Sequence, residues 1–144
     1  MTTKLLIVPL VLAATLVHAD PSLEDKKYWK GQQDYINETL KRTEKACDTT
    51  FTFEWIDKDK LRTEVTATKH SPNGVCGAIV SEVGSLCRQG ADEKAAVKAK
   101  IKGFTCGFAK PRALELSGAT LKYMGNNQES NFSDWARPWL MKHL

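Results

Sequence analysis

The chain contains 144 residues, among them four cysteines and three histidines, and its formal net charge is +4. This length suits one domain with a hydrophobic core, whereas so mild a charge identifies no class of partner. The cysteines lack the close spacing of zinc ligands and few histidines accompany them, so we expect no metal site and no cofactor.

Residues 1–19 have the three parts of a secretory signal peptide. Lys4 provides the positive start, an apolar run follows over residues 5–17, and Ala19 ends a small-residue cleavage site. The run is too short to span a bilayer. We therefore expect cleavage after Ala19, no membrane span in the mature chain of residues 20–144, and a secreted or periplasmic location. A retained N-terminal anchor is the alternative.

The mature chain begins with a predicted amphipathic helix from Ser22 to Cys47. Ser22 is a favourable N-cap, and Trp29, Ile36 and Leu40 recur at helical spacing on one face. The opposite face carries mostly charged side chains. The pattern is typical of a helix that covers a core and leaves one face in water.

A strand is predicted next, over residues 49–56, because apolar and polar side chains alternate there. Residues 57–69 fit either a short helix or a second strand, and we prefer the helix. Residues 71–74, with proline followed by Asn-Gly, predict a turn.

The sequence from Val75 to Cys87 predicts a buried central helix. Its apolar residues repeat at steps of three and four. A second stripe contains Gly77 and Gly84, which are small enough for another backbone to approach closely. Each glycine inside a helix costs about 0.8–1 kcal/mol relative to alanine, so close packing is expected to offset this loss.

The same helix restricts the disulfide pairing. Cys76 and Cys87 are eleven residues apart, so about 16 Å of helix separates them, which is too far for a bond. Each must instead pair with Cys47 or Cys106. We predict Cys76 with Cys106 and Cys47 with Cys87, because a strand returning along the helix would bring Cys106 to the level of Cys76.

Residues 91–94 are read as a turn or a single helical turn, and a long strand is predicted from residue 97 to residue 108. Apolar residues alternate there with Lys98, Lys100 and Lys102, and Gly103 interrupts the alternation as a β-bulge would. A row of ammonium groups on one strand face is a possible contact for a polyanion. The alternative is that the lysines protect an exposed strand from pairing with other chains.

A hairpin is predicted over residues 112–123, with a two-residue loop at Ser117 and Gly118 and with Leu116 opposite Ala119. After a polar loop, Ser133 is expected to cap a final helix with a bend or restart at Pro138. The aromatic residues of that helix are expected to pack on the core. The predicted fold is therefore α+β, with an antiparallel sheet of about four strands covered on one face by helices.

The sequence contains no evident catalytic set. The disulfides occupy all four cysteines, and no motif of a serine hydrolase, a phosphate-binding loop or a metalloprotease occurs. Glu54, His70 and Arg112 supply the residue types that a small secreted nuclease needs. The sequence favours a non-enzymatic exported domain that binds or inhibits a protein or polyanionic partner, or that has a structural role in a cell envelope. A small hydrolase is the alternative.

Overall fold

The computed structural model describes residues 22–126 and 131–144, so the expected signal peptide lies outside the described residues. Within them, five helices accompany one four-stranded sheet, as the α+β prediction requires. In chain order the elements are α1 (Leu23–Cys47), β1 (Thr52–Trp55), α2 (Lys58–Thr66), α3 (Pro72–Cys87), α4 (Ala91–Lys100), β2 (Gly103–Phe108), β3 (Ala113–Ser117), β4 (Thr120–Gly125) and α5 (Phe132–His143).

The sheet is mixed, so the predicted antiparallel sheet is wrong. Its strand order is β1-β2-β4-β3, with β2 parallel to both β1 and β4, and β3 antiparallel to β4. Three helices, α2 to α4, connect β1 to β2, and a helical crossover of this kind returns the chain in the same direction. β3 lies at the far edge of the sheet, and β4 lies between β2 and β3.

Helices cover one face of the sheet. The side chains on this face are largely buried. The most buried of them are Phe104, Cys106, Leu121 and Tyr123, which are paired across β2 and β4. The opposite face carries exposed or half-buried side chains such as Glu54. α3 lies at the centre of the fold, since most of its residues are buried.

The two longest predicted helices are confirmed, and α3 begins earlier than expected. The Ser22 hydroxyl accepts a hydrogen bond from the backbone amide of Asp25, and α1 ends at Cys47. Ser71 caps α3 and Pro72 is its first residue, a position where proline is favoured because its missing amide hydrogen is not needed. The predicted turn at residues 71–74 is therefore the first turn of the helix. The preferred helix at residues 57–69 is also confirmed, as α2.

The predicted long strand over residues 97–108 is wrong in its first half, because residues 97–100 belong to α4. Alanine, glutamate and lysine dominate this segment, and all are strong helix formers. Asp92 and Glu93 lie in the first turn, with Lys98 and Lys100 in the last, so the charges complement the helix dipole. Only the second half of the predicted strand forms, as β2. Gly103 is the first residue of β2 and does not interrupt it as a bulge.

The predicted hairpin is present, with its register displaced by two residues. Leu116 lies opposite Leu121, not Ala119, and the turn contains Gly118 and Ala119. Gly118 has a φ of +59°, so the residue without a side chain takes the left-handed position.

The final helix begins two residues earlier than predicted. Its N-cap is Asn131, not Ser133, and the helix continues through Pro138 without a restart. Its aromatic residues Phe132, Trp135 and Trp139 pack against the core, as expected.

Both disulfides have the predicted pairing. Cys47 is bonded to Cys87, with Cα atoms 5.0 Å apart, and Cys76 is bonded to Cys106, with Cα atoms 5.8 Å apart. The first bond joins the C-terminal ends of α1 and α3. The second joins the start of α3 to β2. The central helix is thus fixed to its neighbours at both ends.

Candidate functional site

The three lysines predicted as one row do not form a row. Lys98 and Lys100 are on α4, and Lys102 follows it. The Lys98 ammonium donates to Asp48 Oδ2 at 2.9 Å, and that of Lys100 donates to the His143 carbonyl oxygen at 2.9 Å. Lys102 donates to the carbonyl oxygen of Lys98. The three ammonium groups therefore point to three different partners.

The positive charge is concentrated instead in a groove between the C-terminal part of α1, the end of α3 and the side of α4. The groove has a volume of about 820 Å³ and opens broadly to solvent. Five of its ten lining residues are basic and none is acidic. We call it the basic groove; its cations are Arg42, Lys45, Arg88, Lys94 and Lys98, and its remaining residues are Ala46, Cys87, Gly90, Ala91 and Ala95.

Fixed contacts hold the walls of the basic groove. The Cys47–Cys87 disulfide ties the end of α1 to the end of α3, and Cys87 itself lines the groove. α4 is anchored by the fully buried side chain of Val97. The Lys98–Asp48 ion pair connects α4 to the residue that caps α1. The cations thus project from a pre-organised surface.

One carboxylate stands at the rim of the groove. The hydrogen bond from Lys98, together with the charges of Lys98 and Lys94, holds the pKa of Asp48 below its ordinary value. Asp48 is largely exposed, so the pair adds little to folding stability. Its main effect is to pair with Lys98, one of the five cations, when no ligand is bound.

The first turn of α4 also faces the groove, but acidic side chains accompany it. Gly90 is the N-cap and supplies no side-chain hydrogen bond. A Cβ atom at this residue would collide with the carboxylate of Glu93, because Glu93 folds back over the cap. With Asp92 also in this turn, the positive helix end already has anionic neighbours. The lysines and arginines therefore provide the field of the groove.

The residues considered for a hydrolase lie on or beside different elements of the fold, as three separate placements show. Glu54 lies on the sheet face turned away from the helices, whereas His70 follows α2, a helix that packs into the core. The Arg112 guanidinium lies 4.4 Å from the ring centre of Trp135. None of the three lines the basic groove. Both Glu54 and His70 are exposed.

Of the five groove cations, the sequence predicts Lys98 as a polyanion contact and places Lys94 only near it in the chain, while the other three are not predicted. The signal for the groove cations is helical spacing: Arg42 and Lys45 are three residues apart, and Lys94 and Lys98 are four apart, so each pair lies on one helix face. The interpretation of residues 97–102 as a strand concealed the second pair.

Among the helices of residues 22–126 and 131–144, none combines the length and the hydrophobicity that a membrane span requires.

No protein-family model matches the chain, and neither the curated proteins nor the solved structures include a significant match.

Proposed function

We propose that this protein is an exported, non-enzymatic binding domain and that its ligand is a polyanion held in the basic groove. The observation that carries the proposal is the lining of the groove, which has five cations against two neighbouring carboxylates, those of Asp48 at the rim and of Glu93 over Gly90. The whole chain has a formal net charge of +4, so the residues outside the groove sum to −1. The positive charge of the protein is therefore local, and a local basic field attracts anionic partners.

Rigidity supports binding as the role of the groove. Its walls are helices joined by a disulfide and by packing, so a ligand need not order them on binding. Export is supported by the signal-like N-terminus and by two disulfides, which persist in oxidising compartments outside the cytosol. A place in a cell envelope or an extracellular assembly agrees with both features.

A pair of charge-reversal variants tests the proposal. Lys45→Glu with Lys94→Glu changes two groove cations that make no hydrogen bond with other described residues. Lys26→Glu with Lys27→Glu makes the same change in net charge at the exposed start of α1. Binding of a fluorescent polyanion such as heparin is measured by anisotropy, and folding is checked by thermal unfolding.

The groove variant is expected to bind at least about tenfold more weakly. Each reversal removes an attractive contact worth up to about 1 kcal/mol and adds a repulsive one. The control pair is expected to change affinity by less than about twofold, because the charges lie outside the groove and are screened. Equal losses in the two variants would mean that binding follows net charge alone, and the proposal would be wrong.

A further inference from the structure

The floor of the basic groove contains no ring. Between the cations it is formed by Ala46, Ala91, Ala95 and Gly90 together with Cys87. Proteins that bind single-stranded nucleic acids combine a basic groove with aromatic side chains on which the bases stack. In this protein the aromatic contacts are elsewhere: one group joins the start of α1 to β1 and another lies beneath α5. The groove therefore offers no stacking surface for bases.

The two arginines do not replace the missing rings. The Arg42 guanidinium donates at 3.1 Å to the hydroxyl of Thr39, so it is drawn back along its own helix. Arg88 lies at the C-terminal cap of α3 and is exposed. The other three cations are lysines, whose ammonium groups are compact point charges without a planar face. Arg88 is thus the one arginine of the lining whose guanidinium is not hydrogen-bonded to its own helix, so the lining offers several point charges and little planar surface for bases.

The shape of the groove also disfavours a duplex. Proteins read duplex DNA with an element that protrudes into a groove of the nucleic acid. Here the cations line a concavity of about 820 Å³, within the range of about 300–1,000 Å³ found for pockets that enclose small ligands. A slender chain can lie along such a concavity, and none of the described elements that line it protrudes as a reader of duplex grooves does.

The cations suit a chain with repeated charges. Those on α1 are three residues apart and those on α4 are four apart, which gives about 5–6 Å between the Cβ atoms of neighbouring side chains. The two rows belong to different helices, α1 and α4, and both helices line the groove. A linear ligand lying between them can place negative groups against both rows, while its uncharged parts contact the methyl groups of the floor.

We infer that the basic groove takes a segment of an acidic polysaccharide, with the negative groups on its sugar rings held by the two rows of cations and the ring faces lying on the alanine floor. Carboxylate and sulfate groups both satisfy this geometry. The inference rests on the proposed function, because it names the ligand of the same groove. It assigns no chemical step to the protein.

The experiment compares ligands of matched charge on the disulfide-bonded protein. A hexameric oligouronate, a sulfated hexasaccharide and a charge-matched oligothymidylate are titrated at about 50 mM and 200 mM salt. A neutral hexasaccharide serves as the ligand control. The wild-type protein is compared with the Lys45→Glu and Lys94→Glu double variant, and with the Lys26→Glu and Lys27→Glu double variant as its matched control.

At least one acidic hexasaccharide is expected to bind about tenfold or more tightly than the oligothymidylate, and the groove variant should lose this preference. The tighter of the two acidic sugars identifies carboxylate or sulfate as the recognised group. Oligothymidylate binding equal to or tighter than both acidic sugars would overturn the inference, while the proposed function would stand if the groove variant lost that binding. If the groove variant bound every probe as well as the wild type, the proposed function itself would be wrong.

Discussion

Gly84 of α3 lies directly against Thr43 of α1. A Cβ atom at Gly84 would be 2.8 Å from Thr43 Oγ1 and 3.3 Å from its Cα atom. The hydroxyl cannot easily rotate away, because it donates a 3.0 Å hydrogen bond to the carbonyl oxygen of Val80 on α3. The two helices therefore approach to a distance that only a residue without a side chain permits at this position.

Gly84→Ala is expected to destabilise the protein by up to about 2 kcal/mol. An extra methyl group in a well-packed core costs about 1–3 kcal/mol, which exceeds or cancels the gain of about 1 kcal/mol from replacing a helical glycine. Gly31→Ala is the matched control, since nothing lies within 4 Å of its Cβ position on α1. This control should stabilise the protein, and urea unfolding of both variants measures the difference. Stabilisation by both substitutions would contradict the close packing.

The packing of α1 on α3 could be predicted from the sequence because its signals are redundant. Gly84 and the neighbouring small residues mark the close approach, and the apolar repeat marks the buried face. The helix geometry excluded one disulfide, and the position of Cys106 on a returning strand selected the correct pair. The small-residue and apolar signals depend on local spacing, which a sequence displays directly. The pairing of Cys106 is right although the first half of the strand from which it was argued is helical.

The basic groove could not be predicted, because it depends on how separate segments come together. Residues 97–102 alternate as a strand would, yet helix propensity and the charges at both helix ends favour α4. The direction of β2 depends in turn on the helical crossover. Once α4 is recognised as a helix, the spacing of Lys94 and Lys98 puts both on one face of it. The bond between Cys47 and Cys87 then brings the ends of α1 and α3 together at the groove.

The two disulfides are expected to have separable effects on binding. Replacing Cys47 and Cys87 by alanine removes the bond that holds the end of α1 at the groove, so polyanion affinity should fall together with stability. Replacing Cys76 and Cys106 should reduce stability by a similar amount and leave affinity nearly unchanged. The chain-entropy model gives about 4 kcal/mol for each bond. Affinity is measured by anisotropy at a temperature where both variants are folded, and equal loss of affinity in both would contradict the prediction.

A buried carboxylate attaches α5 to α3. Glu82 is 5% exposed and accepts hydrogen bonds of 2.7 Å from both Arg137 Nε and the Ser133 hydroxyl. Arg137→Met leaves the carboxylate short of a partner and is expected to cost about 1.5–3 kcal/mol. Adding Glu82→Met should restore most of that stability, since a packed apolar pair replaces a buried ion pair at little cost. A double-mutant cycle by urea unfolding measures the coupling, and simple additivity of the two substitutions would refute it.

Acid is expected to weaken the attachment of α1 to α2. The hydrogen bond from Arg62, and then that from Ser22, holds the pKa of Asp25 below its ordinary value of 3.8. Because the pKa is lower in the folded protein, the carboxylate stabilises the fold above about pH 4. This contribution is lost as the pH falls through the folded value.

Asp25→Asn should therefore be less stable than the wild type near neutral pH, and the difference should shrink as the pH falls below about 4. Glu24→Gln is the matched control, because this exposed carboxylate shares the first turn of α1 but has no hydrogen bond or ion pair with other described residues. Urea midpoints measured across this pH range provide the comparison. A difference between Asp25→Asn and wild type that stayed constant down to pH 2 would show that the Asp25 carboxylate does not couple proton binding to folding.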